Sequence, residues 1–200
     1  MGIELEWKYA VPEPDLLDEI LAWEEVQARM TEAPRLYHMH SDYYDAPDRR
    51  FSRRKITLRR RMENETSVLC VKAPLSEAGD THLRGEWELE GTDLTAALPK
   101  LAAMGAPEAL LEPVELRSLW QADFTRRAVL LRFADGSAAE LALDRGTLSG
   151  PAGSAPLCEM ELELKAGDPA AAHAFAEAVA AHFSLKPQPR SKFARAKSLE

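Results

Sequence analysis

Charged residues recur at every second position in several separate stretches of this chain, sorted by sign within each stretch. Glu4, Glu6 and Lys8 alternate with Ile3, Leu5, Trp7 and Tyr9, while Glu159, Glu161, Glu163 and Lys165 alternate with Cys158, Met160, Leu162 and Leu164. Residues two apart on a β-strand share a face, so each set projects from one side of a sheet. Arg84, Glu86, Glu88 and Glu90 form a third set, and Thr57, Arg59 and Arg61 a fourth. Carboxylates about 7 Å apart along a strand repel and raise one another's pKa. Water relieves that repulsion on an exposed face; inside a cavity a cation must. Hard divalent ions such as Mg2+ and Mn2+ suit oxygen ligands, and Mg2+ commonly combines one or two carboxylates with substrate phosphate oxygens. Arg59, Arg61, Lys72, Arg84 and Arg126 would add charge-assisted hydrogen bonds to phosphate. A single Glu-x-Glu strand is more often a solvated sheet face than a site. The combination is what reads as the walls of one charged cavity holding a polyanion and a metal.

Hydrophobic periodicity supplies the elements that must position these residues. Strands are predicted over residues 3–9, 36–44, 55–62, 66–73, 82–90, within 116–133, over 138–144 and over 158–165. Turn signals at Glu63-Asn64-Glu65 and Asp135-Gly136 make hairpins, so most of these strands are antiparallel. Helices are predicted over residues 15–31, 93–104 and 168–183, the last opened by Asp168 and Pro169. Gly146 to Pro156 reads as a Gly/Ser/Pro-rich loop, and Ser191 to Lys197 as a short basic tail. About eight strands with two or three longer helices predict an α+β fold, one sheet curled into a barrel with helices outside.

The 200 residues suit one domain with a sizeable core. A net charge of −8 argues against general nucleic-acid binding. No apolar run approaches a membrane span and no leader pattern opens the chain, so the expected location is cytoplasmic. Cys70 and Cys158 have no metal-ligand or disulfide spacing and read as small buried hydrophobes. His38 and His40 share a strand face without a completed ligand set. There is no Gly-rich phosphate loop and no serine nucleophile motif.

The order of these motifs resembles the CYTH, or triphosphate tunnel metalloenzyme, family. Glu4, Glu6 and Lys8 match its N-terminal E-x-E-x-K strand. Tyr43-Tyr44-Asp45-Ala46-Pro47 is similar to its Y-Y-D-T-P, with Ala46 a departure. Leu58-Arg59-Arg60-Arg61, Lys72, Arg84-Gly85-Glu86 and Phe124-Thr125-Arg126 follow in register. Leu143-Asp144-Arg145-Gly146, the Glu159–Glu163 stretch and Ser191-Lys192-Phe193-Ala194-Arg195 complete the series. The likeness spans the chain and is strongest to bacterial inorganic triphosphatases, whose long forms often carry a second, helical domain.

The resemblance implies one tunnel domain over residues 1–200, an eight-stranded antiparallel closed β-barrel with helices packed outside. Lys8, Arg59, Arg61, Lys72, Arg84, Arg126 and Lys192 would bind phosphates. Glu4, Glu6, Glu161 and Glu163 would hold Mg2+ or Mn2+. Glu86, Asp144 and Glu159, with Lys8 and Lys192, are the catalytic candidates, for a second metal or for orienting water; no general base is assigned. The implied activity is metal-dependent hydrolysis of the terminal phosphoryl group of inorganic triphosphate or a related small triphosphate. The expected partner is that small molecule, with neither nucleic acid nor membrane, and the chain a monomer or homodimer. The alternatives are a class IV-type adenylate cyclase, a thiamine triphosphatase and a non-catalytic polyphosphate-binding module.

Overall fold

The computed structural model describes residues 5–74 and 84–200, with only the backbone of Arg84. Glu4 lies outside the described residues. Nine strands form one sheet: β1 Glu6–Ala10, β2 Arg35–Asp45, β3 Thr57–Glu63, β4 Thr66–Pro74, β5 Arg84–Glu90, β6 Arg117–Arg132, β7 Ala138–Gly150, β8 Gly153–Ala166 and β9 Lys186–Pro187. Their order is β5-β4-β3-β2-β6-β7-β8-β1-β9, and every pairing is antiparallel. The helices are α1 Leu16–Ala22, α2 Glu24–Gln27, α3 Arg50–Arg53, α4 Leu94–Ala103, α5 Pro169–His182 and α6 Lys192–Lys197. Among the described residues no helix is long and apolar enough to cross a membrane.

Among the described residues the expected closed eight-stranded barrel is corrected to an open nine-stranded sheet with two edges. Closure would require β5 to pair with the free edge of β1. That edge is already taken: Tyr9 and Ala10 pair with Pro187 and Lys186, and the Gln188 N–H donates to the Lys8 carbonyl at 2.8 Å. The sheet still curls, because its strands from both halves line one cavity.

The two sides of the curl are held differently. On the convex side, Leu141, Met160 and Leu162 pack with Leu17 and Ile20 of α1 and Phe175 and Val179 of α5. Farther along the sheet, Leu58, Leu69, Val71 and Trp87 pack with Ala97 and Leu101 of α4. On the concave side, Tyr43, Trp120, Phe124, Leu148 and Leu157 pack with Phe193 and Ala196 of α6. That helix therefore seals one end of the curl from within. Its start follows from Ser191, whose hydroxyl accepts the Ala194 N–H at 3.1 Å.

Three local expectations change. The predicted loop over 146–156 is instead the extension of β7 and β8 around a two-residue turn, with Gly150 opposite Gly153. Buried Leu148 and Leu157 anchor that ladder, overriding a composition that locally favours coil. Gly146 is required there, because an added Cβ would lie 2.1 Å from the Asp123 carbonyl and 2.5 Å from Phe124. The predicted helix over 15–31 breaks at Trp23, whose ψ is 133°; its ring stacks on His182 at 4.6 Å. The basic tail over 191–197 is α6.

Candidate functional site

The concave face encloses a cavity of about 470 Å³. Period two on β3 and β4 brings Arg59, Arg61 and Lys72 to it, with Cys70 between them. The register sets Arg59 beside Cys70 and Glu88, and Thr57 beside Lys72 and Glu86. Lys72 Nζ lies 3.1 Å from Glu86, and Arg61 Nη2 3.3 Å from Glu88. Cys70 is buried as expected, yet its thiol also donates to Glu86 at 2.9 Å; burial pushes the thiol up to about 12, so it stays protonated. Arg60 and Arg61 each leave a buried Nε without a hydrogen-bond partner while their Nη2 atoms bond Asp42 and Glu88; Arg59 leaves two nitrogens. Its Nε and Nη2 are buried without a hydrogen-bond partner, the nearest carboxylates, Glu86 and Glu88, being 3.9 and 3.8 Å away. A buried guanidinium N–H without an acceptor is costly, and this one faces a cavity sized for a small anion.

The opposite wall is closely ion-paired, Arg195 Nε being its one buried nitrogen among the described residues without a hydrogen-bond partner. Asp144 of β7 and Glu159 of β8 are adjacent across the ladder and fully buried. Arg126 donates to both Asp144 oxygens at 2.8 Å and to Glu161 at 2.5 Å. Lys192 Nζ stands 2.7 Å from Asp144 and 2.9 Å from Glu161, and also binds Glu159. Arg195 binds the other oxygen of Glu159, and Lys8 reaches Glu161 at 3.0 Å. Burial opposes the charges here: at Glu159 it prevails and holds the carboxyl above the ordinary range, while at Glu161 and Lys192 the partners outweigh it. Lys192, Lys8 and Arg126 hold Glu161 well below the ordinary carboxylate range, and Asp144, Glu161 and Glu159 hold Lys192 above the ordinary lysine range.

Exposure rises along β8 from Glu159, buried under α6, to Glu163 and Lys165 at the open end. Glu163 stands between Glu6 of β1 and Glu140 of β7 in register, and all three line the cavity. Lys165 Nζ is 2.6 Å from Glu163 and 3.6 Å from Glu140. Among the described residues, metal-ligating atoms converge within 4.8 Å in two places, Asp144–Glu159–Glu161 and Cys70–Glu86–Glu88. Both already face cations of the chain. The hard oxygen donors Glu6, Glu161 and Glu163 on adjacent strands fit the donor chemistry of Mg2+ or Mn2+.

Of the residues expected from sequence, Lys8, Arg59, Arg61, Lys72, Arg126, Lys192, Glu6, Glu161 and Glu163 line this one cavity. Asp144 and Glu159 stand behind it, holding Arg126, Lys192 and Arg195. Glu86 pairs with Lys72. Arg84 pairs through its backbone with Pro74. Sequence reasoning gave no site role to Glu88, Glu140, Lys165 and Arg195, although Glu88, Lys165 and Arg195 stood in the stretches it named. The same period of two that exposed their neighbours was available for the first three, and an i, i+3 spacing from Lys192 for Arg195.

A CYTH domain model matches residues 2–196. An inorganic triphosphatase of Haemophilus influenzae is 30% identical over 131 residues, covering 63% of this chain and 36% of that protein. The match thus spans little more than a third of that relative's length. Two solved structures share the fold. One, from Hippeastrum, is designated an adenylyl cyclase and described as having a dominant triphosphatase activity; its TM-score is 0.60 at 19% identity, over 98% of this chain and 96% of that one. The other, from Bacillus halodurans, carries an adenylate cyclase designation, with a TM-score of 0.58 at 17% identity over 95% and 94% of the two chains. With a matching model over nearly its whole length, on a sheet that brings the expected charged residues to one cavity, the chain belongs to the CYTH family.

Proposed function

We propose that this domain is a metal-dependent triphosphatase that cleaves the terminal phosphoryl group of inorganic triphosphate or a related small triphosphate. The observation that carries the reading is Arg59, whose buried Nε and Nη2 lack an acceptor while facing a cavity walled by further cations and carboxylates. Phosphate oxygens are the acceptors that a guanidinium fork fits best.

Arg59, Arg61 and Lys72 on one side, with Lys8 and Arg126 on the other, would grip the phosphates, and the motif that contains Arg84 makes it a further candidate. Glu6, Glu161 and Glu163, with Glu4, would hold Mg2+ or Mn2+. When bound, the ion neutralises charge on the phosphate oxygens. The chain's own part is positional. Two cationic walls would hold the linear anion along the cavity, leaving its terminal phosphorus open to in-line attack by water. The bond from that phosphorus to its bridging oxygen breaks, and the products are orthophosphate and pyrophosphate. Asp144 and Glu159 are buried behind cations, so their role is to keep Arg126, Lys192 and Arg195 in place. Glu86 does the same for Lys72.

A second reading has its own observation. Tyr37, Met39, Phe124 and Ala128 are uncharged members of the cavity lining around Arg126, and an organic group of a nucleoside or thiamine triphosphate could rest against them. A product-resolved assay separates the two. Inorganic triphosphate, ATP and thiamine triphosphate are each offered with Mg2+ or Mn2+, and orthophosphate, pyrophosphate and cyclic AMP are followed. Metal-dependent orthophosphate release, fastest from inorganic triphosphate, is expected. Cyclic AMP with pyrophosphate from ATP would replace this reading with a cyclase. Tight binding without turnover would leave a binding module.

A further inference from the structure

Three donors compete for one oxygen beside Cys70. This residue is buried on β4, the strand between those of Arg59 and Glu86, and the register sets it directly opposite Arg59. Oε1 of Glu86 lies 2.9 Å from the Cys70 sulfur, 3.1 Å from Nζ of Lys72 and 3.9 Å from Nη2 of Arg59. A guanidinium N–H needs an acceptor at about 2.7–3.2 Å, so Glu86 stops roughly 1 Å short of Arg59. An opposite charge so close to a buried donor without an acceptor should close that gap, because leaving the donor unpaired is costly. It does not: Nε and Nη2 of Arg59 have no hydrogen-bond partner. Lys72 draws Oε1 along the sheet, and Cys70 binds it from the intervening strand. The thiol is a neutral donor, since burial keeps it protonated. It therefore takes up a lone pair of Oε1 without adding a charge to the wall.

We infer that Cys70 is a positioning residue whose thiol holds Glu86 off Arg59 and so keeps that guanidinium open to an anion. Without the thiol, Oε1 turns toward Arg59 and pairs with it, and an incoming anion must then break that pair. The consequence for triphosphate affinity rests on the function proposed above; the hold on Glu86 does not.

Double-mutant cycles read by thermal unfolding test the hold with no ligand present. Arg59→Ala and Glu86→Gln are made singly and together in wild type, Cys70→Ala and Cys70→Ser. In wild type the two shifts in melting temperature are expected to be close to additive, because the side chains share no hydrogen bond. In Cys70→Ala each substitution removes the same new ion pair, so the double variant loses less than the sum of the two. Cys70→Ser keeps a donor and returns the shifts toward additivity. No greater departure from additivity in Cys70→Ala than in wild type would overturn the inference. So would a Cys70→Ser that behaves like Cys70→Ala, since loss of packing is not repaired by a hydroxyl. Inorganic triphosphate is then titrated calorimetrically without divalent ion. Cys70→Ala is expected to bind it about 10-fold more weakly than wild type, and Cys70→Ser within about two-fold. Equal binding by wild type and Cys70→Ala would overturn the inference. A wild type that binds no triphosphate would count against the proposed function, and the unfolding cycles would still decide whether Cys70 holds Glu86.

Discussion

The cavity has two charged walls built from the same residue types, and they are in opposite energetic states. On the β7–β8 side each cation is matched. Arg126, Lys192, Arg195 and Lys8 share Asp144, Glu159 and Glu161, much of it at full burial. On the β3–β5 side Arg59 has donors without acceptors. The first arrangement recovers its desolvation cost from within the protein, and it fails badly if one member is removed. The second leaves that cost unrecovered until a ligand arrives. The comparison teaches that cations lining one cavity are not equally ready for a ligand: those paired within the protein must give up a partner to bind it, and Arg59 need not.

The largest effect should come from breaking the matched wall. Arg126→Ala leaves the fully buried Asp144 with Lys192 as its remaining cation and removes a partner of Glu161, and should cost on the order of 3 kcal/mol of stability. Denaturant unfolding reads this, and an unchanged midpoint would erase the distinction between the walls. Next is Glu6→Gln at the half-exposed outer set. Turnover should fall roughly 100-fold or more, with stability changed by less than about 0.5 kcal/mol. Steady-state kinetics at saturating Mg2+ checks it, near wild-type rates removing Glu6 from the metal site.

Arg59→Ala probes the unsatisfied wall. It should leave stability nearly intact and raise KM about 10- to 100-fold, as expected for a lost charged hydrogen bond of about 1.5–3 kcal/mol. A large stability loss with unchanged KM would show that Arg59 is structural.

The smallest effect concerns pH and sharpens the same contrast. Glu161 is depressed from its reference of 4.5, so its stabilisation is full above that value and is lost as pH falls below it. Lys192 is raised from 10.5, so its contribution is full below that value and is lost only above it. The ion pairs of Glu161 and Lys192 should therefore contribute evenly between those limits, while Glu159, raised from 4.5 by burial, costs stability as it ionises above that value. Melting temperature against pH tests this, and a loss of this contribution near neutrality would contradict the assignment.

Much of the site was legible because a strand's period of two is a local rule. Glu6 and Lys8, Arg59 and Arg61, and Glu161 and Glu163 could be sorted by face without knowing which strands were neighbours. The limits of that rule show at Asp144 and Glu159. Alternation put them on the charged face, but only the β7–β8 register made them adjacent, and only α6 covered them. The 146–156 segment shows the converse. Its glycines and prolines favour a loop locally, while cross-strand partners and buried Leu148 and Leu157 make it a hairpin.

The sequence by itself determined the strand faces, the sorting of charge along them and the family to which the chain belongs, because alternation and motif order are properties of the chain alone. The tertiary structure decided that the sheet remains open, since residues 186–188 take the edge of β1. It also decided which charges are satisfied. Whether an arginine meets a carboxylate or an empty cavity depends on contacts between residues far apart in the chain. Arg126 and Arg59 are the same residue type on the same kind of strand, and only their distant neighbours make one a tightly paired cation and the other a donor without an acceptor.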